Sequence, residues 1–301
     1  MTDILHITGG DCAGSSLTRA KLPGAVFVWH DILYDGPRIP GWPDENTLKA
    51  RALFLEKVTG GGLGRARVLA TLRGQYRRLA EAADREHIVL WFDACLFDQA
   101  MLAHILVCLH HRGARDVELL CIDAFPGIVP YHGIGQLRPN QLASLYGRRH
   151  PVTDQQFRFA VLVDKAFAAG DPVRLVELSR TTAPPLPWVP AAARRWMQEQ
   201  PDPLTGLGHL ESLTLAAIRA GCETPAKIYA SVAAADVPPQ FWGDTMLWAK
   251  INALADRVPP LVAITGPVSQ LPQWESKVPL KAFRIRSLPN QSFRTATDRR
   301  A

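Results

Sequence analysis

The chain has 301 residues, 47% of them hydrophobic and 21% charged, with a formal net charge of +6. That composition is ordinary for a globular protein and excludes fibrous and disordered classes; a chain of this length buries about 75% of its unfolded surface and needs no covalent staples. No run of about 18 apolar residues occurs, so no membrane-spanning helix and no membrane partner are expected.

The start, MTDILHITGGD, has no basic n-region and meets Asp3 and His6 at once, so residues 4–8 read as a first strand and not as a signal peptide. Gly9-Gly10 makes a turn, residues 14–20 read as a helix, and the continuous apolar run AVFVW at residues 25–29 is a second strand. After a loop rich in glycine and proline, Asp44 caps a helix over residues 45–58. Residues 59–64 (TGGGLG) read as a hinge, followed by a long basic-faced helix over 65–85. A third strand spans 88–92, a helix 96–111, and a fourth strand 117–122. Strands alternating with helices predict a parallel, doubly wound, Rossmann-like α/β sheet of four or five strands.

Past residue 125 the strand pattern stops and helices are expected over 140–146, 154–169, 172–180, 191–198 and 210–220. A short helix after Pro225, a helix over 241–256 and a strand over 261–265 then outline a winged-helix-like ending. The layout is a Rossmann-like domain (1–125), a helical connecting region (126–205), a winged-helix-like module (206–275) and a basic tail (276–301). Seven basic residues and one acid sit in that tail, so it carries the whole net charge and the rest of the chain is neutral. The tail leaves DNA open as a partner. The helix over 241–256 counts against it, since Lys250 is its one base beside Trp242, Met246, Leu247, Trp248, Ile251 and Leu254, a surface built for burial. A homo-oligomer is also left open.

The five cysteines are odd in number and widely spaced, with no C-x-x-C. They predict reduced thiols and a cytoplasmic location, and they indicate no zinc site and no disulfide framework. His104, His110 and His111 lack a metalloprotease spacing and read as surface or satisfied histidines.

Open parallel sheets bind ligands outside the carboxyl ends of their strands, so polar residues there are the candidates. The first strand delivers Gly9, Gly10, Asp11, Ser15 and Ser16, glycines for close approach and a helix N-terminus that favours an anion. Neither a P-loop nor a G-x-G-x-x-G spacing is present. The second delivers His30 and Asp31, then Gly36; the third delivers Asp93, Asp98 and Gln99; Gln136 follows the fourth on a long loop. Asp11, His30 and Asp31 form the expected acid–base set, with the others as ligand contacts. Capping is the competing role for Asp11 and Ser15, and packing at the sheet edge for His30. Cys12 reads as a small residue at the helix start. No metal ligand set is indicated and no cofactor is assigned.

Several of these segments in order (HITGGDCAGSSL, VWHDILYDGP, LWFDACLFDQAML, GIGQLRPNQLASL, LPWVPAA and FWGDTMLWAKINALA) resemble a bacterial family whose N-terminal part is catalogued as domain of unknown function 1835 and whose C-terminal part as domain of unknown function 3658. Cys12 replaces an expected small residue such as Ser, and the last stretch of the chain matches poorly. The resemblance implies the domain layout and no activity. The expected function is binding of a small polar or phosphorylated metabolite, a nucleotide included, with group transfer or hydrolysis as the reaction class. The alternative is a ligand-sensing regulator or protein-interaction module using the C-terminal part.

Overall fold

The computed structural model describes residues 3–60, 62–237, 239–272 and 277–289. Arg294, Asp298, Arg299 and Arg300 of the basic tail lie outside the described residues, as do Gly61 of the hinge and Pro238. In chain order come β1 (Ile4–Gly9), α1 (Asp11–Arg19), β2 (Ala25–Trp29), α2 (Glu45–Val58), α3 (Arg65–Arg85), β3 (His87–Asp93), α4 (Leu96–His111) and β4 (Val117–Ile122). β1 pairs in parallel with β2 and with β3, and β3 pairs in parallel with β4. The strand order β2-β1-β3-β4-β5 reverses between β1 and β3, which is the switch point of the sheet.

The fifth strand, β5 (His150–Pro151), corrects the expectation that strands end near residue 125. It pairs antiparallel with β4 at Glu118 and Leu119. Two residues, one of them proline, carry no alternation from which a strand could be read, and proline is tolerated at a sheet edge. The first helix also differs, starting directly at Asp11 after Gly10 turns the chain with φ 77°. A left-handed residue at that point is open to glycine at little cost.

The rest of the chain is helical: α5 (Pro139–Leu145), α6 (Asp154–Ala169), α7 (Pro172–Arg180), α8 (Val189–Gln198), α9 (His209–Arg219), α10 (Pro225–Ala235) and α11 (Asp244–Asp256). A two-stranded antiparallel sheet of β6 (Val262–Thr265) and β7 (Arg284–Ser287) follows. Two compact units result. One holds the five-stranded sheet and the helices through α8; the other holds α9–α11 and β6–β7. The helices between residues 126 and 198 thus belong with the sheet, α6 and α8 packing against α4.

β3 shows why its sequence is apolar without alternation. Val89 and Trp91 face Ala13 and Leu17 of α1 and Leu142 and Leu145 of α5 in one core, while Ile88, Leu90 and Phe92 are equally buried. A central strand covered on both faces has no solvent side on which to place polar residues. α4 is buried almost all round, which suits a helix packed between a sheet and other helices.

Two buried polar knots sit in this unit. Asp164 of α6 accepts from Arg38 Nη1 at 2.6 Å, from the Gly41 N–H at 2.6 Å and from His104 Nδ1 at 3.2 Å. His104 Nε2 lies 2.7 Å from the Tyr76 hydroxyl. Burial opposes the charged imidazole of His104, but the Cys108 sulfur and the Asp164 carboxylate outweigh it and hold the group up to about 10. His104 is therefore a satisfied core histidine and not a surface one.

In the second knot, Trp91 Nε1 donates to His6 Nδ1 at 3.0 Å, which leaves His6 Nε2 to donate to the Pro23 carbonyl at 2.9 Å. That pairing fixes a neutral imidazole, and burial lowers its pKa from the ordinary value.

In the second unit, α11 buries Leu247, Trp248, Ile251 and Leu254, and Lys250 pairs with Glu211 at 3.3 Å. The Trp242 indole donates to Asp236 Oδ2 at 2.6 Å.

The lowered pKa of His6 sets a pH dependence. Its contribution is present above the unfolded value, near pH 6.5, and is lost as pH falls, because the unfolded chain binds a proton that the folded site refuses. The melting temperature should drop more steeply from about pH 7 to about pH 5 in the parent than in His6→Gln, whose amide can serve both partners without charging. Equal slopes would show that His6 is not buried neutral.

Candidate functional site

The carboxyl edge of the five-stranded sheet collects most of the residues singled out from the sequence, in two layers.

The outer layer is exposed. Asp11 at the start of α1 and His30 at the end of β2 come from different strand ends, yet His30 Nε2 lies 2.8 Å from Asp11 Oδ1. Their side chains are 71% and 47% exposed. With Nε2–H donating to the carboxylate, Nδ1 keeps its lone pair, the tautomer of a histidine oriented by an acid. α1 has no side-chain cap at Gly10, so its first turn receives no capping hydrogen bond from that residue beside this pair. Gly135 sits against them, where a Cβ would come within 3.3 Å of Cys12 Cβ and 3.7 Å of the Ala13 nitrogen.

The inner layer is buried at the end of β3. Asp93 Oδ1 accepts the Cys95 N–H at 2.8 Å, and Oδ2 accepts the Ile134 N–H at 3.0 Å. Asp98 Oδ2 accepts the Asp93 N–H at 2.8 Å, and Cys95 Sγ accepts the Asp98 N–H at 3.4 Å. Gln99 Nε2 donates to the Asp93 carbonyl at 2.7 Å and lies 3.4 Å from Cys121 Sγ. Space is tight around these carboxyls: a Cβ on Gly9 would lie 3.1 Å from Asp98 Oδ1, and one on Gly133, at φ 143°, 2.7 Å from Asp93 Oδ2, so glycine is favoured most strongly at Gly133.

Burial, reinforced by the Asp93 carboxylate, pushes the Asp98 carboxyl well above its ordinary range. Asp93 is also raised by burial, but the hydrogen bonds from Cys95 and Ile134 work against that. An anionic Asp93 beside a protonated Asp98 is the charge state this predicts, because two adjacent buried carboxylates cannot both ionise cheaply. Burial and the same two acids push the Cys95 thiol up, and the Tyr131 hydroxyl likewise.

Other candidates have local duties. Asp31 does not join Asp11 and His30. Its carboxylate is buried, Oδ1 accepting from Arg51 Nη2 at 2.6 Å, from Arg51 Nε at 3.1 Å and from the Ile32 N–H at 2.7 Å. It ties the loop after β2 to α2. Gly36, at φ 79°, is close-packed: a Cβ there would fall 2.6 Å from the Phe54 ring. Ser15 is exposed and Ser16 buried in the second turn of α1. Gln136 closes its own loop, Oε1 accepting the His132 N–H at 3.0 Å and Nε2 donating to the Pro130 carbonyl at 3.4 Å. At the opposite edge, a cavity of about 330 Å³ is lined by Asp3, Ile4, Gly24, Ala25, Arg78 and Glu86. The Arg78 and Glu86 charges there are spent on each other, at 2.6 and 2.9 Å.

Sequence reading missed Cys95, Tyr131 and Arg51. Cys95 had a local signal, the spacing Asp93-x-Cys95-x-x-Asp98 across a strand end and a helix start. Tyr131 and Arg51 had none, because they arrive from distant segments.

No protein-family model matches the chain, and no curated protein matches it in sequence.

The two ion pairs at this edge should respond differently to substitution. Arg51→Ala strands the buried Asp31 charge and should cost about 3–5 kcal/mol in denaturant unfolding. His30→Gln should leave the unfolding midpoint unchanged, since an exposed pair contributes little. A small effect of Arg51→Ala would contradict the buried pairing.

Proposed function

We propose that the carboxyl edge binds a small polar or phosphorylated metabolite, a nucleotide being one member of that class, and that the Asp11–His30 pair serves as its acid–base couple in group transfer or hydrolysis. The observation that carries this reading is the meeting of Asp11 and His30 at 2.8 Å from two separate strand ends, next to an uncapped helix N-terminus. The first-turn N–H groups of a helix suit an anionic oxygen, and the free nitrogen of an acid-oriented imidazole suits proton abstraction. Asp31 supports the loop that carries His30 and leaves the acid–base set.

A second reading is a ligand-sensing regulator whose C-terminal unit is winged-helix-like and contacts DNA or a protein. Three helices followed by a two-stranded sheet, with Arg284 exposed on β7, favour it. The pairing of Lys250 on α11 with Glu211 on α9 counts against base readout by α11.

The test is a thermal-shift screen of nucleotides, sugar phosphates and acyl carriers, with Asp11→Asn and His30→Gln beside the parent. A ligand at roughly 100 times its dissociation constant stabilises the native state by about 2.7 kcal/mol. The account expects a hit that both variants weaken. A hit that neither variant changes would move the site away from this edge.

A further inference from the structure

The inner layer holds more donor atoms than its protein partners use. Asp93, Cys95 and Asp98 are each about 95% buried, and one ligand atom from each lies within 4.8 Å of the others. Among the described residues no Lys, Arg or His pairs with either carboxylate, whereas the other buried acids of this unit, Asp31 and Asp164, each have an arginine. The carboxylate oxygens of Asp93 and Oδ2 of Asp98 accept backbone N–H groups, but two buried oxygens of neighbouring residues have no hydrogen-bond partner. They are Gln99 Oε1, on a side chain whose amide nitrogen is held by the Asp93 carbonyl, and the Tyr131 hydroxyl, which feels the charge of Asp93 and Asp98. Buried polar atoms without partners are uncommon in native proteins and call for an explanation. A proton on Asp98 can satisfy at most one of these oxygens.

We propose that Asp93, Cys95 and Asp98 form a site for one divalent transition-metal ion of the zinc kind, with Gln99 Oε1 and the Tyr131 hydroxyl as further oxygen donors beside it. Two carboxylates and a thiolate are a donor set that zinc accepts and that magnesium and calcium, which prefer oxygen alone, do not. The three ligand atoms lie within 4.8 Å of one another, against the roughly 3–4 Å between ligand atoms of a four-coordinate ion. The supports a metal ligand needs are in place: backbone N–H groups of Cys95 and Ile134 orient Asp93, and that of Asp93 orients Asp98. Binding releases protons from Asp98 and Cys95, so affinity rises with pH. The ion site is independent of the metabolite reading, since Asp11 and His30 are exposed and none of its ligands is.

The experiment uses the full chain, stripped with a chelator and then exposed to Zn²⁺ or Co²⁺. The expected result is one ion retained per chain by elemental analysis, a higher melting temperature with Zn²⁺, and a thiolate-to-cobalt charge-transfer band in the Co²⁺ form. Cys95→Ser should abolish the band, and Asp98→Asn should weaken zinc by more than the roughly 10–100-fold typical of outer-shell changes. Cys121→Ser should keep both. Metal-free melting curves show whether each variant folds. A parent chain that retains no ion and shows no thermal shift overturns the proposal without reference to any variant. A charge-transfer band that survives in Cys95→Ser overturns it as well.

Discussion

The carboxylate of Asp93 holds the carboxyl edge of the sheet together. One oxygen takes the Cys95 N–H and so shapes the turn from β3 into α4; the other takes the Ile134 N–H and pins the loop that returns after β4. That loop brings Gly135 against the start of α1. The β3–α4 turn and a loop some forty residues further on are thus fastened through one buried side chain. The arrangement favours glycine at Gly133, where a Cβ would strike Asp93, and leaves little room for a side chain at Gly9 beside Asp98. It also makes the acids share a small, dry volume, which is the source of their raised pKa values.

The edge is therefore electrostatically layered. Beneath the surface, acids without arginine partners bind protons or a cation. At the surface, Asp11 and His30 are hydrated and can exchange partners with a ligand. Asp31 shows the third solution available to a carboxylate here, full burial against Arg51, which turns a strand-end acid into a loop support. The same residue type at three neighbouring strand ends thus serves three purposes, decided by what lies opposite.

Much of the fold was legible because burial writes itself into residue patterns. The runs AVFVW and VELLCI have no polar face, as central parallel strands require, and α2, α3, α4, α6 and α7 begin and end where their periodicity and breakers place them. β5 was not legible, because its pairing depends on β4 and not on its own residues. At the site, position along the strands was enough to expect the residues that the fold brings together, Asp11 with His30 and Asp93 with Asp98 and Gln99. It could not separate His30 from Asp31, because that choice was made by Arg51, a residue of α2 whose partner is fixed only when the loop folds. Gln136 and Gly36, expected as ligand contacts from their place after strands, also have structural duties that their sequence does not announce, hydrogen bonds within one loop and close packing on the Phe54 ring.

The measurement that bears most directly on this account is the native-state hydrogen exchange of the Ile134 amide. A donor bound to a buried carboxylate exchanges only when the edge opens, so Ile134 should be as protected as the amides of β3. Exchange at the rate of an exposed turn residue such as Gly127 would mean that Asp93 does not hold the loop, and the two-layer edge would fall with it.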